Sequence, residues 1–278
     1  MPAAEKSIFI TGAGSGMGRE GAKLFHGRGW RVAAVDRNEA GLASLRDDLG
    51  DDRLWTARVD VTDRSSLDAA LAEFCGGNTD GGLDMMWNNA GIGESGWFED
   101  VPYDAAMRVV DVNFKAVLTG AYGALPYLRR RPGSLMFSTS SSSATYGMPQ
   151  IAVYSATKHA VKGLTEALSV EWQRHGVRVA DVLPGLIDTA ILTETPNHSA
   201  HGRTSTSTDI TAAAPKKGLF RLMPASSVAD AAWAAYRHPR RLHWYVPDSI
   251  RWIDRLKGLS PEWVRGRIVK ELPTITER

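Results

Sequence analysis

Cysteine is almost missing from this chain of 278 residues: Cys75 stands alone. A single thiol forms no internal disulfide and anchors no multi-cysteine zinc site, and no metal centre is expected. It suits a reducing compartment, where a small buried apolar side chain is its simplest role. Long hydrophobic runs are missing as well, since no uninterrupted apolar stretch reaches the ~18 residues of a membrane-spanning helix. Met1–Ser7 is polar and leads into a strand-like run at Ile8 with no secretory h-region before it, so a cytoplasmic protein is expected. Nor is there an excess of one charge: 33 Lys and Arg face 31 Asp and Glu, a net charge of +2. That balance carries no signature of a nucleic-acid binder. What is present is ordinary for a globular protein, with 43% hydrophobic and 23% charged residues. The length exceeds a small module and falls short of two full-sized domains.

Short and long apolar patterns alternate along the chain. Ser7–Ile10, Arg31–Val35, Leu54–Val59, Leu83–Trp87, Ser134–Ser138 and Arg178–Leu183 are short, and Gly, Pro, Asp or Asn bound them. They have the character of strands buried on both faces. Between them, Gly16–Arg28, Glu39–Leu49, Ser65–Cys75, Tyr103–Arg130 and Val153–His175 carry helical spacing. Such alternation implies right-handed crossovers and a doubly wound α/β fold, a parallel sheet with helices on both faces. No internal linker divides it, so residues 1–278 form a single domain, with Val228–Val246 adding a last helix and an edge strand.

Two stretches depart from this rhythm. Thr193–Pro215 is rich in Ser, Thr, His and Ala, and a loop this long inside a compact domain is a lid or a disordered segment. From Arg237 onward, ten Lys and Arg stand against five Asp and Glu, with Trp244, Trp252 and Trp263 among them. A basic, Trp-rich end suits a membrane surface. Pro239, Pro247, Pro261 and Pro273 nevertheless preclude one long amphipathic helix there.

Thr11-Gly12-Ala13-Gly14-Ser15-Gly16-Met17-Gly18 follows the first strand and opens the first helix. Glycines let the backbone turn sharply and approach a pyrophosphate, and the helix N-terminus supplies N–H groups and a positive dipole end. Gly12, Gly16 and Gly18, with Ser15 and Met17 between them, are the candidate phosphate-binding residues. The second strand ends at Val35-Asp36-Arg37. Asp36 can accept from both adenosine ribose hydroxyls of NAD and would repel the 2′-phosphate of NADP. Arg37 could pair with that phosphate, or be a solvated loop residue. NAD is therefore expected, with NADP as the alternative. Asp60-Val61 ends the third strand and could receive the adenine amino group, while Asp63 or Thr62 suits a helix N-cap. Asn88-Asn89-Ala90-Gly91 closes the fourth strand at the carboxyl edge, where such sheets bind ligands.

Tyr154-Ser155-Ala156-Thr157-Lys158 puts a phenol and an ammonium one helical turn apart on one face. A polar run, Ser138-Thr139-Ser140-Ser141-Ser142-Ser143, precedes it. Asn113 lies in an otherwise apolar helical stretch, Met107–Ala121, where a buried amide is costly without a water or backbone partner. Taken in order, TGxxxGxG, the NNAG segment, the helical Asn, the Ser–Tyr spacing, YxxxK and Pro184-Gly185 with Thr189 resemble the short-chain dehydrogenase/reductase family over about residues 7–190.

The resemblance implies a Rossmann-type domain and a catalytic tetrad of Asn113, Ser141, Tyr154 and Lys158. Tyr154 would be the acid/base, since a nearby Lys158 cation favours the phenolate of a side chain whose free pKa is about 10. Lys158 would also hold the nicotinamide ribose, Ser141 would bind the substrate oxygen, and Asn113 would hold a water on a proton relay. Ser140 and Ser142 compete with Ser141, and adjacent serines leave the choice open. Asn89, Ala90, Gly91, Pro184, Gly185, Ile187 and Thr189 would line the cofactor, with Tyr154 and Lys158 at its nicotinamide end.

The implied activity is an NAD-dependent interconversion of a secondary alcohol and a ketone or aldehyde, on a small to medium, partly apolar substrate. A catalytically idle cofactor-binding protein and an NADP-dependent carbonyl reductase are the alternatives. The lid would span about residues 193–222, with a C-terminal extension over about 247–278. Gly93, Glu94, Met148, Ile151 and Leu192 are the candidate pocket residues, Glu94 being expected to face solvent. His159 and His175 are read as helix-surface or interface residues. The family also implies a homodimer or homotetramer pairing the helices Tyr103–Arg130 and Val153–His175, with Trp172 and Leu168 as an outer stripe or as intrachain core.

Overall fold

The computed structural model describes residues 5–78, 80–199, 217–218 and 221–271. Six apolar runs become parallel strands: β1 (Ser7–Thr11), β2 (Arg31–Asp36), β3 (Leu54–Arg58), β4 (Met85–Asn88), β5 (Leu135–Thr139) and β6 (Arg178–Pro184). A seventh, β9 (His243–Val246), completes the sheet in the order β3-β2-β1-β4-β5-β6-β9. The order reverses between β1 and β4, which opens a crevice at their carboxyl ends. Outside this sheet, β7 (Ile187–Asp188) pairs in parallel with β8 (Met223–Pro224).

Alternating residues of each strand face opposite helical layers. On one face, Ile8, Ile10, Val32, Trp87, Phe137 and Val182 pack with α1 (Gly16–Gly27), α2 (Glu39–Leu49) and α8 (Ser226–Arg237). On the other, Phe9, Ala33, Val35, Met86 and Met136 pack with α3 (Arg64–Gly76) and α5 (Ala116–Leu128). Trp172 joins this second core at 6% exposure, so it is intrachain core and not an outer stripe. Cys75 is buried there too, and burial pushes its thiol up to about 12, which makes it inert.

The single helix expected over Tyr103–Arg130 is interrupted. It runs as α4 (Tyr103–Val110), a π-helical turn at Asp111–Lys115, and α5. Asn113 lies in the turn, and such π-bulges commonly mark functional positions. The helix α6 (Ala152–Glu171), which carries Tyr154 and Lys158, follows β5, and the short α7 (Ala190–Glu194) follows β7. Of the expected lid, Thr193–Ser199, 217–218 and 221–222 are described; the remainder lies outside the described residues, as does 272–278 of the extension.

The extension forms two short helices, α9 (Arg251–Leu259) and α10 (Pro261–Glu271), as the prolines require. α9 is fastened to α6: Asp254 takes Lys162 Nζ at 2.6 Å and Tyr245 Oη at 2.6 Å. Lys257 Nζ lies 3.0 Å from His159 Nε2, so His159 is a half-buried junction residue. Among the described residues no helix is long and apolar enough to cross a membrane.

Candidate active site

The glycine turn is built from backbone conformations that L side chains resist, with φ of +68° at Gly12 and +52° at Gly16. A Cβ on Gly18 would overlap the Gly12 carbonyl oxygen, so only glycine lets α1 start this close to β1. Ser15 sits at the N-cap with its side chain unused as a cap, and the first turn of α1 holds no acidic residue. The N–H groups and positive dipole end beside Gly16, Met17 and Gly18 therefore suit a pyrophosphate.

Polar side chains tie the neighbouring strand ends into one floor. Thr11 Oγ1 accepts from the backbone N–H of Asn89 (3.0 Å) and of Ala90 (3.1 Å). Asn89 Nδ2 donates to the carbonyls of Thr11 (3.1 Å) and Gly12 (3.2 Å), while Asn89 Oδ1 accepts from Thr139 Oγ1 at 3.1 Å. The amide thus couples β1, β4 and β5, leaving Gly91 to lie against Asn113 and Lys158. A Cβ at Gly91 would come 3.3 Å from Asn113 Oδ1 and 3.6 Å from Lys158 Nζ.

At the end of β2, Asp36 accepts from Gly14 N and from Asn38 N, each at 2.9 Å, which holds its carboxylate beside the glycine turn. Next to it, Arg37, Asn38, Arg58, Asp60 and Ser66 line an open hollow of about 510 Å³. The side-chain and backbone hydrogen bonds of Thr62 hold the Asp60 carboxyl below its ordinary value. Asp63 caps α3 through Ser65 N and Ser66 N, so the N-cap read for this segment falls to Asp63 and not to Thr62. Val61 beside them is buried.

The residues expected as a tetrad come from three segments: Asn113 from the π-helical turn, Ser141 from just past the end of β5, and Tyr154 and Lys158 from α6. Asn113 is fully buried, and its amide pairs with the backbone of Ile92 in both directions, each bond 2.9 Å. The buried amide thus has the backbone partner its environment demands, and no water contact of that amide is needed to satisfy it. Lys158, 3% exposed, donates from Nζ to the Thr139 carbonyl at 2.9 Å, and burial pushes its ammonium down to about 8. Its Nζ is 5.5 Å from the centre of the Tyr154 ring. The expected lowering of the phenol by Lys158 is not what this arrangement produces. Burial raises the Tyr154 pKa, and only the nearby Ser141 hydroxyl works against it.

The serine run separates by hydrogen bonding. Ser140 Oγ donates to the Lys158 carbonyl at 2.8 Å, fastening β5 to α6. Ser141 lies on the phenol side and caps the turn that follows, accepting from Ser143 N at 3.2 Å. Ser142 is half-buried, its carbonyl accepting from Thr145 Oγ1.

Across the crevice, Gly185 N donates to Val246 O at 2.8 Å, and Ile187 is buried. A Gly16 Cβ would meet Thr189 Cγ2 at 3.1 Å, so the segment after Pro184 returns to the glycine turn. Beside Tyr154 is a hollow of about 290 Å³ whose walls include Glu94, Phe98, Val101, Ile151 and Val153. Of the expected pocket residues, Glu94 and Ile151 line it; Gly93, Met148 and Leu192 do not. Glu94 is 6% exposed and not solvent-facing. The sequence offered no signal for Phe98, Val101 or Val153, which lie in a loop and at a helix start, or for His198, whose Nε2 hydrogen-bonds Glu94 Oε1.

A family model described as short chain dehydrogenase matches residues 6–200. An uncharacterized oxidoreductase of Staphylococcus aureus (strain USA300) is 34% identical over 187 residues, which cover 67% of this chain and 80% of its own. Cyclohexanol dehydrogenase of Acinetobacter sp. (strain SE19) is 33% identical over 193 residues, covering 68% and 76%. Among solved structures, a short chain dehydrogenase/reductase from Burkholderia phymatum in complex with NAD superimposes with a TM-score of 0.80 at 24% identity, covering 93% of this chain and 95% of that one. A 3-ketoacyl-(acyl-carrier-protein) reductase from Brucella melitensis complexed with NADH gives 0.74 at 27% identity, covering 87% and 96%.

Proposed function

The chain belongs to the short-chain dehydrogenase family, and from that membership we propose that it is an NAD-dependent oxidoreductase interconverting a secondary alcohol and its ketone or aldehyde. The observation that carries this is one constellation. Tyr154 lines a 290 Å³ hollow, with the Ser141 hydroxyl on its side and the buried Lys158 ammonium one turn along α6.

A nicotinamide cofactor, when bound, takes the hydride from the carbinol carbon or returns it to the carbonyl. The residues that would hold it are Gly12, Ser15, Gly16, Met17 and Gly18 at the pyrophosphate, Asp36 at the adenosine ribose, and Asp60 and Val61 at the adenine. Asn89, Ala90 and Gly91 form the floor, and Pro184, Gly185, Ile187 and Thr189 the nicotinamide end. Tyr154 Oη removes the hydroxyl proton during oxidation and returns it during reduction. Ser141 Oγ orients the substrate oxygen. Lys158, with an ammonium pKa of about 8, gives up and regains a proton near neutral pH and can refill or drain the phenol. Asn113 holds the Ile92 segment against this group.

NAD is supported by the Asp36 carboxylate beside the glycine turn. NADP dependence is the second reading, favoured by the Arg37 and Arg58 guanidinium groups around the neighbouring hollow. The complete set of acid/base groups argues against an idle cofactor-binding protein. A homodimer or homotetramer is proposed through the α4–α5 and α6 layer. A panel of secondary alcohols with NAD, followed by NADH absorbance, tests the reading together with dissociation constants for NADH and NADPH. Tyr154→Phe should lower kcat by about 10²-fold or more, the usual worth of a positioned acid/base. Tighter binding of NADPH would reverse the cofactor assignment, and cofactor binding without turnover of any alcohol would favour the idle protein.

A further inference from the structure

Among the described residues, no Lys, Arg or His borders the hollow beside Tyr154. Its charged groups among the described residues are two carboxylates, Glu94 and Glu99, set with Gln150 among Phe98, Val101, Ile151 and Val153. Glu99 lies on the exposed rim, whereas Glu94 is 6% exposed. Taking a carboxylate out of water is costly unless hydrogen bonds replace the lost hydration. Among the described residues, Glu94 has a single side-chain partner, the His198 imidazole on Oε1.

The surroundings hold this pair in place. The loop carrying Glu94 is zipped to the segment carrying His198: Ser95 N donates to Pro196 O and His198 N to Ser95 O, each at 3.0 Å. Trp97 N donates to Ser199 Oγ at 2.6 Å, and Ser199 Oγ donates to Asp100 at 2.5 Å. A Cβ on Gly93 would overlap the Thr195 hydroxyl, so the two segments are in direct contact. An acceptor is therefore positioned on the wall of the hollow that also holds the reactive phenol.

We propose that Glu94, positioned by His198, determines substrate choice. The pocket takes neutral, mainly apolar alcohols and ketones that carry a second hydroxyl, which donates to the Glu94 carboxylate while the reacting oxygen meets Tyr154 and Ser141. An ionised carboxylate accepts but does not donate, so a substrate with an anionic group at that position meets repulsion. A site built to bond a substrate hydroxyl also discriminates against the analogue that lacks it, because its own polar group is then left unpaired. The assignment rests on the oxidoreductase reading of the same site.

Rings of one size that differ at one substituent test it: the 1,2-, 1,3- and 1,4-cyclohexanediols, cyclohexanol, and the corresponding hydroxycyclohexanecarboxylates. With the full chain and NAD, kcat/KM for the best diol should exceed that for cyclohexanol by about tenfold or more, and the carboxylates should be the poorest. Glu94→Gln should raise the carboxylate-to-cyclohexanol ratio about tenfold, and Glu94→Leu should abolish the diol preference. His198→Ala should weaken that preference mainly through a higher KM, with His198→Gln, which keeps a donor, recovering part of it. Titration calorimetry of the same rings gives a second readout. Diol affinity that depends on Glu94 without any turnover would keep this assignment and sink the oxidoreductase reading. Turnover or binding of the rings in ratios indifferent to both Glu94 substitutions would overturn the assignment itself.

Discussion

Ser140 and Ser141 are neighbours of identical chemistry with different work to do. The Ser140 hydroxyl is spent on the Lys158 carbonyl, whereas Ser141 faces Tyr154. Ser141→Ala should therefore lower kcat by about 10²-fold with little change in stability, the scale on which single positioned donors act. Ser140→Ala should cost about 1 kcal/mol of stability with a smaller effect on kcat. Steady-state kinetics beside thermal unfolding separates the two, and a large kcat loss only at Ser140 would exchange their roles. Lys158 gives a pH-dependent case. Its folded pKa is about 8 against an ordinary 10.5, so below pH 8 the ammonium is charged whether folded or not, and folding bears the full cost of burying it. Between pH 8 and 10.5 the folded form loses its proton first and that cost is progressively relieved. Wild type should thus gain stability relative to Lys158→Met across this window, as urea unfolding at several pH values would report. A constant difference from pH 7 to 10.5 would refute the depressed value.

At the scale of elements, α9 is an addition clasped to the helix that carries Tyr154 and Lys158. Burial pushes the Asp254 carboxyl up, and hydrogen bonds from Lys162 and Tyr245 outweigh it, so its net pKa is lowered. The Lys162 and Asp254 side chains are 15% and 16% exposed, enough shielding for the pair to matter. Asp254→Ala leaves Lys162 without its counter-charge and should cost about 2 kcal/mol, or roughly 4–6 °C in Tm. It should also make the chain after Val246 more open to proteolysis. Unchanged Tm and protease resistance would mean that α9 contributes nothing to the body of the fold. The π-helical turn between α4 and α5 follows the same logic, because Asn113 trades helical regularity for two bonds to Ile92.

For the whole molecule, large apolar side chains left in water identify surfaces available for assembly. Tyr103, Tyr122 and Val170 are exposed by 76%, 71% and 70%, and they lie on α4, α5 and α6, the layer proposed to pair between subunits. Scattered exposed apolar residues are ordinary, so the test must be direct. Light scattering after gel filtration should give an oligomer for wild type and a smaller species for the Tyr122→Glu, Val170→Glu double variant. Equal masses for the two would remove this layer from the interface. Trp252, Leu259 and Trp263 form a separate exposed group on α9 and α10, with Arg251 and Arg255 against the Trp252 ring. The basic end thus carries its own surface, apart from the more acidic body.

What the sequence determined by itself is local or periodic. Strand runs, helical spacing, the Gly12–Gly18 turn and the one-turn separation of Tyr154 and Lys158 depend on neighbours within a few residues, and each has a repeating or positional signature. The parallel sheet followed from these, because alternating strands and helices have few ways to bury their apolar faces. Tertiary structure decided what depends on partners distant in the chain. Ser140 is set apart from Ser141 by a carbonyl 18 residues away, and Glu94 meets His198 across 104 residues. Lys162 pairs with Asp254 across 92 residues. No periodicity encodes such meetings. Burial then sets the charge behaviour of Lys158 and Tyr154, since desolvation depends on everything packed around a group and not on its place in a motif.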